Sequence, residues 1–120
     1  MIIWLTGNSG AGKTTLAKRL ALGARNTVVL DGDELRAVWP GLGLSKDDRW
    51  EQNMRVARLA GLLESQGMTV IVAVIAPYED LRREIQTMTG CKFIYLSAGD
   101  VGEDRPYEAP SHPDIIVARS

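Results

Sequence analysis

Residues 7–14 form a glycine-rich run with the sequence Gly7-Asn8-Ser9-Gly10-Ala11-Gly12-Lys13-Thr14. This run fits the pattern G-x-x-x-x-G-K-[ST] at every position, and it stands between a short apolar stretch and a segment with helical spacing. Glycine lets the backbone turn tightly and bring its N–H groups onto phosphate oxygens, and the helix that follows directs its positive end at the same anion. The run therefore predicts a phosphate loop that binds ATP or GTP.

Two side chains at the end of this loop are expected to act on the phosphates. The ammonium group of Lys13 should reach the outer phosphates, and the hydroxyl of Thr14 should ligate Mg²⁺. Together with Thr15, the residues of the loop are the predicted nucleotide contacts. The pattern predicts nucleotide binding but no particular reaction, because kinases, GTPases, motors and switches all contain it.

Apolar stretches alternate with helical segments along the rest of the chain. The pattern predicts strands at residues 2–6, 27–31, 69–75, 92–96 and 114–118, and helices at residues 14–22, 45–67 and 79–88. Several of these strands are apolar throughout, as strands buried on both faces of a parallel sheet are. We therefore expect one P-loop NTPase domain over residues 1–120, an α/β fold of three layers around a mostly parallel sheet of about five strands.

The composition of the chain bears on whether it binds nucleic acid or a membrane. A formal net charge of −1 and a pI near 5.8 are not typical of a protein that binds nucleic acid through its overall charge, although a local basic patch is compatible with them. No apolar run approaches the roughly 20 residues of a membrane-spanning helix. The apolar N-terminus has no basic leader or cleavage site and runs directly into the phosphate loop. These features predict a cytoplasmic protein that has no membrane partner.

A pair of carboxylates follows the second predicted strand. Asp31 and Asp33, separated by one glycine, should lie at the carboxyl edge of the sheet, where the phosphate loop also lies. One of them could accept the proton of an attacking hydroxyl while Mg²⁺ is held nearby. Arg36, one helical turn further on, could hold an anionic substrate. The alternative is an Asp-Gly turn that caps a short helix, and beside a phosphate loop we favour the chemical role.

Beyond the phosphate loop, further motifs carry a family resemblance. They are D-G-D at residues 31–33, L-G-L-S at residues 42–45, D-R-W-E at residues 48–51, A-P-Y at residues 76–78 and R-P-Y-E-A-P at residues 105–110. With these motifs the sequence resembles the adenylylsulfate kinases, which use MgATP to phosphorylate the 3′-hydroxyl of adenosine 5′-phosphosulfate. The resemblance runs through most of the chain, and D-G-D and P-Y-E-A-P are more specific to the family than the phosphate loop.

The resemblance implies a role for each matching residue. It makes Asp33 the general base and Asp31 the residue that helps to organise Mg²⁺, with Lys13 as the third catalytic residue. Arg36 and Arg49 would grip the anionic end of the substrate, as two planar guanidinium groups suit a phosphosulfate. The remaining implied substrate contacts are Gln52, Ile75, Ala76, Pro77 and Tyr78. The segment from residue 106 to residue 110, with Pro106 and Ala109, would lie near the nucleotide base.

Several departures from the family pattern weaken this assignment of a substrate. The family usually reads E-N-I-R-R after the D-R pair, where this chain has Gln52 in place of the Asn and Met54 in place of an Arg. A basic lid normally precedes P-Y-E-A-P, but residues 97–104 contain three acids and no Lys or Arg. The helix that the family carries after its last strand has no counterpart before Ser120. A sheet face left thinly covered in this way makes a homodimer a reasonable expectation.

The sequence is compatible with three functions. The first is a small-molecule kinase of the adenylylsulfate type. The second is a kinase of the same lineage with another hydroxyl acceptor, such as a modified base in nucleic acid, because a site without a lid could accept a larger substrate. The third is a nucleotide-binding module with weak or no catalysis, although the intact Lys13, Thr14, Asp31 and Asp33 argue against it. A GTPase switch is disfavoured, since the chain has no N-K-x-D element.

Overall fold

Five parallel strands form one sheet in the part of the chain that the structure describes. The structure is a computed structural model, and it describes residues 1–8, 10–97, 107–111 and 114–117. The strands are β1 (Ile2–Gly7), β2 (Thr27–Asp31), β3 (Thr69–Ala73), β4 (Lys92–Leu96) and β5 (Ile115–Val117), in the order β2-β3-β1-β4-β5. The helices are α1 (Lys13–Ala21), α2 (Gly32–Val38), α3 (Lys46–Ser65) and α4 (Glu79–Thr89). The predicted α/β fold with a parallel sheet is confirmed.

The two faces of the sheet are covered by different helices. Side chains alternate along a strand, so Val70 and Val72 of β3 face one way and Ile71 and Ala73 face the other. The first pair packs in a cluster with residues of α3 and α4, and the second pair packs in a cluster with Ala17 of α1. This arrangement gives the expected three layers. No helix within the described ranges is both long enough and apolar enough to cross a membrane.

Strand β3 ends at Ala73, two residues earlier than its apolar run predicts. The indole Nε1 of Trp4 donates a hydrogen bond of 2.9 Å to the carbonyl oxygen of Val74, so this backbone group is occupied by a side chain and not by a neighbouring strand. Residues 74–78 then continue along the carboxyl edge of the sheet without forming part of a strand. This early end of β3 leaves a segment of backbone free to line a cavity.

Helices α1 and α3 begin and pack in different ways. In α1 the buried apolar residue is Ala17, whereas Leu20 is 41% exposed. Ser45 caps α3, because its Oγ accepts from the backbone N–H of Asp48 at 3.1 Å. The carboxylate of Asp48 accepts from the N–H of Gly43 at 3.0 Å, so it fixes the position of the loop that precedes α3.

The segment 107–111 is fastened to the first turn of α4. Glu108 donates its N–H to the carbonyl of Pro77 at 2.7 Å, and its carboxylate accepts from the N–H of Glu79 at 2.8 Å. The guanidinium of Arg82, which is buried, donates to the carbonyl of Ala76 and to the carbonyl of Glu108. The carboxylate of Glu108 thus supplies the cap that Tyr78, the N-cap residue, does not give α4, and the other bonds hold the segment in place.

Replacing Gly7 by alanine should lower the free energy of unfolding by about 2 to 3 kcal/mol, because strands β1 and β4 pass too closely for a side chain at this position. A Cβ on Gly7 would lie 2.5 Å from the backbone oxygen of Leu96, its partner in the β1–β4 register. Urea denaturation measures the change. The matched control is Gly61→Ala in α3, where a Cβ meets nothing within 4 Å, and where alanine should stabilise by up to about 1 kcal/mol. Equal stabilities of the two variants would contradict this account of Gly7.

Candidate active site

A cavity of about 350 Å³ opens at the carboxyl edge of the sheet. Its walls come from the phosphate loop, from the turn after β2, from one face of α3 and from the chain after β3. This volume lies within the range of small-molecule sites. The residues that line it are Gly10, Gly12, Lys13, Thr14, Thr15, Asp31, Gly32, Asp33, Arg36, Arg49, Gln52, Asn53, Ala73, Val74, Ile75 and Pro77.

The phosphate loop presents a buried cation and free backbone donors to this cavity. Gly12 precedes α1 in a left-handed conformation with φ 94°, and no side chain caps the first turn of the helix. Its N–H groups are therefore available to an anion. The Nζ of Lys13 donates to the carbonyls of Gly7 and Asn8 at 3.0 Å and 2.9 Å, which holds the ammonium group inside the loop.

Burial shifts the titration of Lys13. Removal from water lowers the pKa of Lys13 from 10.5 to about 8, and the nearby carboxylates of Asp31 and Asp33 oppose this shift. An ammonium group that is costly to bury and only partly balanced by carboxylates favours the arrival of further negative charge. The electrostatics of the loop therefore agree with a binding site for phosphates.

Asp31 joins the phosphate loop to the turn that follows β2. Its Oδ2 accepts from the hydroxyl of Thr14 at 2.7 Å, and its Oδ1 accepts from the N–H of Asp33 at 3.0 Å, which caps α2. The capping role that the sequence offered as an alternative is thus present, and it belongs to Asp31. Asp33 is exposed on the cavity wall, and its carboxylate forms no hydrogen bond or ion pair within the described ranges.

The cavity wall also includes two arginines. Arg36 extends from α2 and is exposed, whereas Arg49 is half-buried in the first turns of α3. The Nε of Arg49 donates to the carbonyl of Leu44 at 2.7 Å, and among the described residues the two terminal nitrogens of the guanidinium have no hydrogen-bond partner, so they can bind a ligand. The cavity therefore combines the phosphate loop, two arginines and a carboxylate that has no partner among the described residues.

Comparison with known proteins agrees with this arrangement. Residues 1–99 match the protein family described as "Adenylylsulphate kinase".

The chain belongs to the adenylylsulfate kinase family.

Members of this family from bacteria are similar over nearly the whole chain. The adenylyl-sulfate kinase of Deinococcus deserti is 40% identical over 143 aligned positions, which cover 95% of this chain and 79% of that protein. The alignment is longer than the 120 residues of this chain, so the Deinococcus kinase contains residues that have no counterpart here. The segment that replaces the basic lid, residues 97–104, lies outside the described residues except for Ser97.

Solved adenylylsulfate kinases share the fold. The Mycobacterium tuberculosis APS kinase CysC in complex with AMPPNP and APS has a TM-score of 0.85 at 29% identity and covers 99% of this chain and 89% of that chain. The hexameric APS kinase from Thiobacillus denitrificans has a TM-score of 0.81 at 33% identity and covers 97% of this chain and 24% of that chain. Adenylylsulfate kinases are ATP-dependent phosphotransferases, so the chain is an enzyme of this class.

The structure brings most of the predicted site residues together. Those on the cavity wall are Gly10, Gly12, Lys13, Thr14, Thr15, Asp31, Asp33, Arg36, Arg49, Gln52, Ile75 and Pro77. The loop residues Gly7, Asn8 and Ala11 are buried beneath this wall and shape the loop from below. Ser9 and Pro106 lie outside the described residues.

Three predicted contacts lie elsewhere. The side chain of Ala76 is fully buried in the core. Tyr78, the N-cap residue of α4, stacks on Trp50 with ring centroids 6.3 Å apart, and the ammonium of Lys46 lies over its ring. Ala109 belongs to the segment that is fastened to α4 and does not line the cavity. The structure therefore does not place these three side chains with the others.

The cavity also contains residues that sequence reasoning missed, namely Gly32, Asn53, Ala73 and Val74. The sequence predicts Ala73 and Val74 only as strand residues. The early end of β3 places them on the cavity wall. Asn53 could have been noticed, because it stands beside Gln52 in a helix turn whose inner face is otherwise apolar. Both amides are buried, with exposures of 2% and 4%. Two buried amides in successive positions indicate a polar ligand or a polar network.

Proposed function

We propose that this chain transfers the γ-phosphoryl group of ATP to the 3′-hydroxyl of adenosine 5′-phosphosulfate. The observation that carries the proposal is the unpaired carboxylate of Asp33 in one cavity with the phosphate loop and with two arginines. Membership of the adenylylsulfate kinase family gives the reaction and the substrate class. The complex of the Mycobacterium tuberculosis relative with AMPPNP and APS supports both ligands.

The phosphate loop, the two arginines and Asp33 have separate tasks in this reaction. Lys13 and the free N–H groups of the loop stabilise the negative charge of the transferring phosphoryl group. Arg36 and Arg49 hold the phosphosulfate, whose charge is spread over several oxygens that planar guanidinium groups match. Asp33 accepts the proton of the 3′-hydroxyl as the new bond from this oxygen to phosphorus forms and the bond to the leaving ADP breaks.

Magnesium fits the oxygens at the end of the phosphate loop. The hydroxyl of Thr14 and the carboxylate of Asp31 lie 2.7 Å apart, and oxygens of these two kinds are the ligands that Mg²⁺ prefers. Within the described residues no group of three or more His, Cys, Asp or Glu side chains could enclose a metal. We therefore infer that Thr14 and Asp31 hold the ion directly or through water, and that a bound ion neutralises charge on the phosphates.

An assay of ADP release tests the function. The protein is incubated with MgATP, with and without adenosine 5′-phosphosulfate, and the product is identified by mass spectrometry. We expect ADP release that depends on the acceptor and a product with one phosphate added. Turnover that the acceptor does not stimulate would favour a kinase with another acceptor, and ATP binding without turnover would favour a catalytically inactive module. Either of these results contradicts the proposal.

The affinity for ATP should fall above about pH 8, because the phosphates need a charged Lys13. Lys13 has a pKa of about 8 in the free protein, and bound polyphosphate should raise it again. Binding should therefore take up close to one proton between about pH 8.5 and pH 10, and none at about pH 6.5, where Lys13 is protonated in both states. Calorimetry in buffers of different ionisation enthalpy measures this uptake. Lys13→Ala is the control that must show none, and pH-independent binding by the unaltered protein would contradict the role of Lys13.

We also propose that the chain associates with further copies of itself. The edge strand β5 exposes three consecutive apolar residues, with Ile115 and Ile116 exposed by 53% and 61%. Exposed apolar side chains of this kind are often covered by another chain. The Thiobacillus denitrificans relative is described as hexameric. We infer a dimer or larger oligomer, which sedimentation at several concentrations would detect, and a monomer at all concentrations would contradict it.

A further inference from the structure

Residues 74–77, here called the wall segment, are held by hydrogen bonds to four successive backbone carbonyls. Those carbonyls, from Val74 to Pro77, accept in turn from the Nε1 of Trp4, the Nδ2 of Asn53, the Nη1 of Arg82 and the backbone N–H of Glu108. The donors belong to β1, to α3, to α4 and to the segment 107–111. Three of the four residues of the wall segment line the cavity. The position of this part of the cavity wall is therefore determined by groups from four separate parts of the chain and not by strand pairing.

Arg82 is a buried cation that holds two pieces of backbone at once. Its Nη1 donates to the carbonyl of Ala76 and its Nη2 donates to the carbonyl of Glu108. The residue is 4% exposed, and it forms no ion pair within the described residues. The guanidinium carbon lies 5.3 Å from the ring centroid of Tyr107, so two carbonyls and an aromatic face take the place of a carboxylate. A planar guanidinium with two fixed donors is suited to keep two carbonyls at a set separation.

Thr6 connects the same carbonyl of the wall segment to the strand that leads into the phosphate loop. Its Oγ1 donates to the carbonyl of Ala76 at 3.5 Å and lies 2.9 Å from the hydroxyl of Tyr107. Thr6 is fully buried and directly precedes Gly7, the first residue of the phosphate loop. Together with the bonds of Arg82, these contacts form a polar network behind the cavity, which relates the wall segment to the phosphate loop.

The wall segment also lies beside the turn of α3 that carries Arg49. The Nδ2 of Asn53 donates to the carbonyl of Arg49 at 2.8 Å and to the carbonyl of Ile75 at 3.3 Å, so the two backbones are close together. Arg49 is one of the two arginines that hold the phosphosulfate in the proposed function. A displaced wall segment would therefore change the space for the phosphate acceptor, whereas the phosphate loop keeps its own bonds from Lys13.

We propose that Arg82 is a positioning residue, which keeps the wall segment in the place that the phosphate acceptor requires by holding the carbonyls of Ala76 and Glu108. The inference rests on the proposed function, because that function places the acceptor beside Arg49. Arg82 does not line the cavity, so it acts only through the wall segment. Without these bonds the wall segment has to become ordered when the acceptor binds, and the cost of this ordering weakens binding of the acceptor.

Two substitutions of Arg82 test this role, with the neighbouring Arg83 as the control. Arg82→Met keeps the apolar stem and loses both hydrogen bonds, whereas Arg82→Lys keeps the charge but not the planar pair of donors. The KM of adenosine 5′-phosphosulfate should rise at least roughly 10-fold in Arg82→Met and by a smaller factor, at least roughly threefold, in Arg82→Lys. The KM of ATP should stay within about twofold, with little change in kcat. Arg83→Met removes a charge from an exposed position of α4 and should leave both KM values unchanged.

The contrast between the two substrates separates positioning from general support of the fold. Loss of a merely structural residue would weaken the binding of ATP and of the acceptor together, whereas a displaced wall segment weakens the acceptor alone. Calorimetric titration of the acceptor into the protein with ADP gives the same comparison without turnover, and circular dichroism shows whether each variant is folded. If Arg82→Met does not fold, Arg82→Lys decides the question, because it keeps both the charge and the stem.

The outcomes separate this inference from the proposed function. A folded Arg82→Lys whose acceptor affinity falls by less than threefold overturns the role of Arg82. An equal rise of the two KM values also overturns it, because Arg82 would then support the fold as a whole. If the unaltered protein binds the acceptor but transfers no phosphoryl group to it, the proposed function fails, and the calorimetric series decides the role of Arg82 separately. If the unaltered protein does not bind the acceptor, both are wrong.

Discussion

Asp33→Asn should lower kcat at least about 100-fold while ATP affinity stays within about twofold of the unaltered protein. The reason is that the carboxylates of Asp31 and Asp33 have different roles. Asp31 uses both of its oxygens to hold Thr14 and the first turn of α2, whereas Asp33 has no partner within the described residues. Asparagine keeps the shape of the side chain but cannot accept the proton of the attacking hydroxyl. Steady-state kinetics with MgATP and adenosine 5′-phosphosulfate measures kcat, and calorimetry measures the affinity for ATP.

Glu34→Gln is the matched control for this experiment. Glu34 is the next residue on α2, is exposed like Asp33 and does not line the cavity. Its neutralisation changes the net charge of the protein by the same amount, so a general electrostatic effect would appear in both variants. We expect near-normal kcat for Glu34→Gln. Normal kcat in Asp33→Asn would remove this carboxylate from the mechanism and leave Asp31 as the remaining candidate.

Lys13→Ala should abolish turnover, with kcat below roughly one thousandth of its original value. The ammonium group is the buried cation of the phosphate loop, fixed by the carbonyls of Gly7 and Asn8. Its loss removes positive charge from the place where the transferring phosphoryl group develops negative charge. The variant should be no less stable to urea, because the ammonium is costly to bury and alanine favours the helix.

Lys18→Ala provides the comparison for the loss of one lysine from α1. Lys18 is exposed and does not line the cavity, so this variant should keep its activity. If Lys13→Ala turns out unfolded, its inactivity would have no catalytic meaning, and circular dichroism therefore accompanies the kinetics. A folded Lys13→Ala protein with near-normal turnover would contradict the assignment of the phosphate loop as the catalytic site.

The parts of the site that follow strict local rules could be predicted from the sequence. Glycine spacing determines the phosphate loop, because a tight turn with free N–H groups requires those positions. The D-G-D motif also has a local origin, since Asp31 both ends a strand and caps the helix that begins at the glycine. The parallel pairing of the strands follows from their alternation with helices, whereas their order in the sheet is known only from the structure.

The parts that depend on long-range packing could not be predicted. Tyr78 follows Pro77 directly, yet its ring turns toward Trp50, 28 positions earlier in the chain, and not into the cavity. The carboxamide of Asn53 donates at 3.3 Å to the carbonyl of Ile75, in the segment after β3 and 22 positions later in the chain. Neither side-chain orientation is encoded by residues next to it in sequence.

The single cysteine of the chain has a practical consequence for studying motion at this site. Cys91 is 1% exposed, and burial raises the pKa of its thiol to about 11. Because the thiolate is the form that reacts with reagents such as maleimides, this sulfur should not be labelled at neutral pH. A cysteine introduced on the surface, for example at Leu22, would then be the only position to take up a fluorescent or spin label. Distances between engineered probes could be recorded without first deleting a natural thiol.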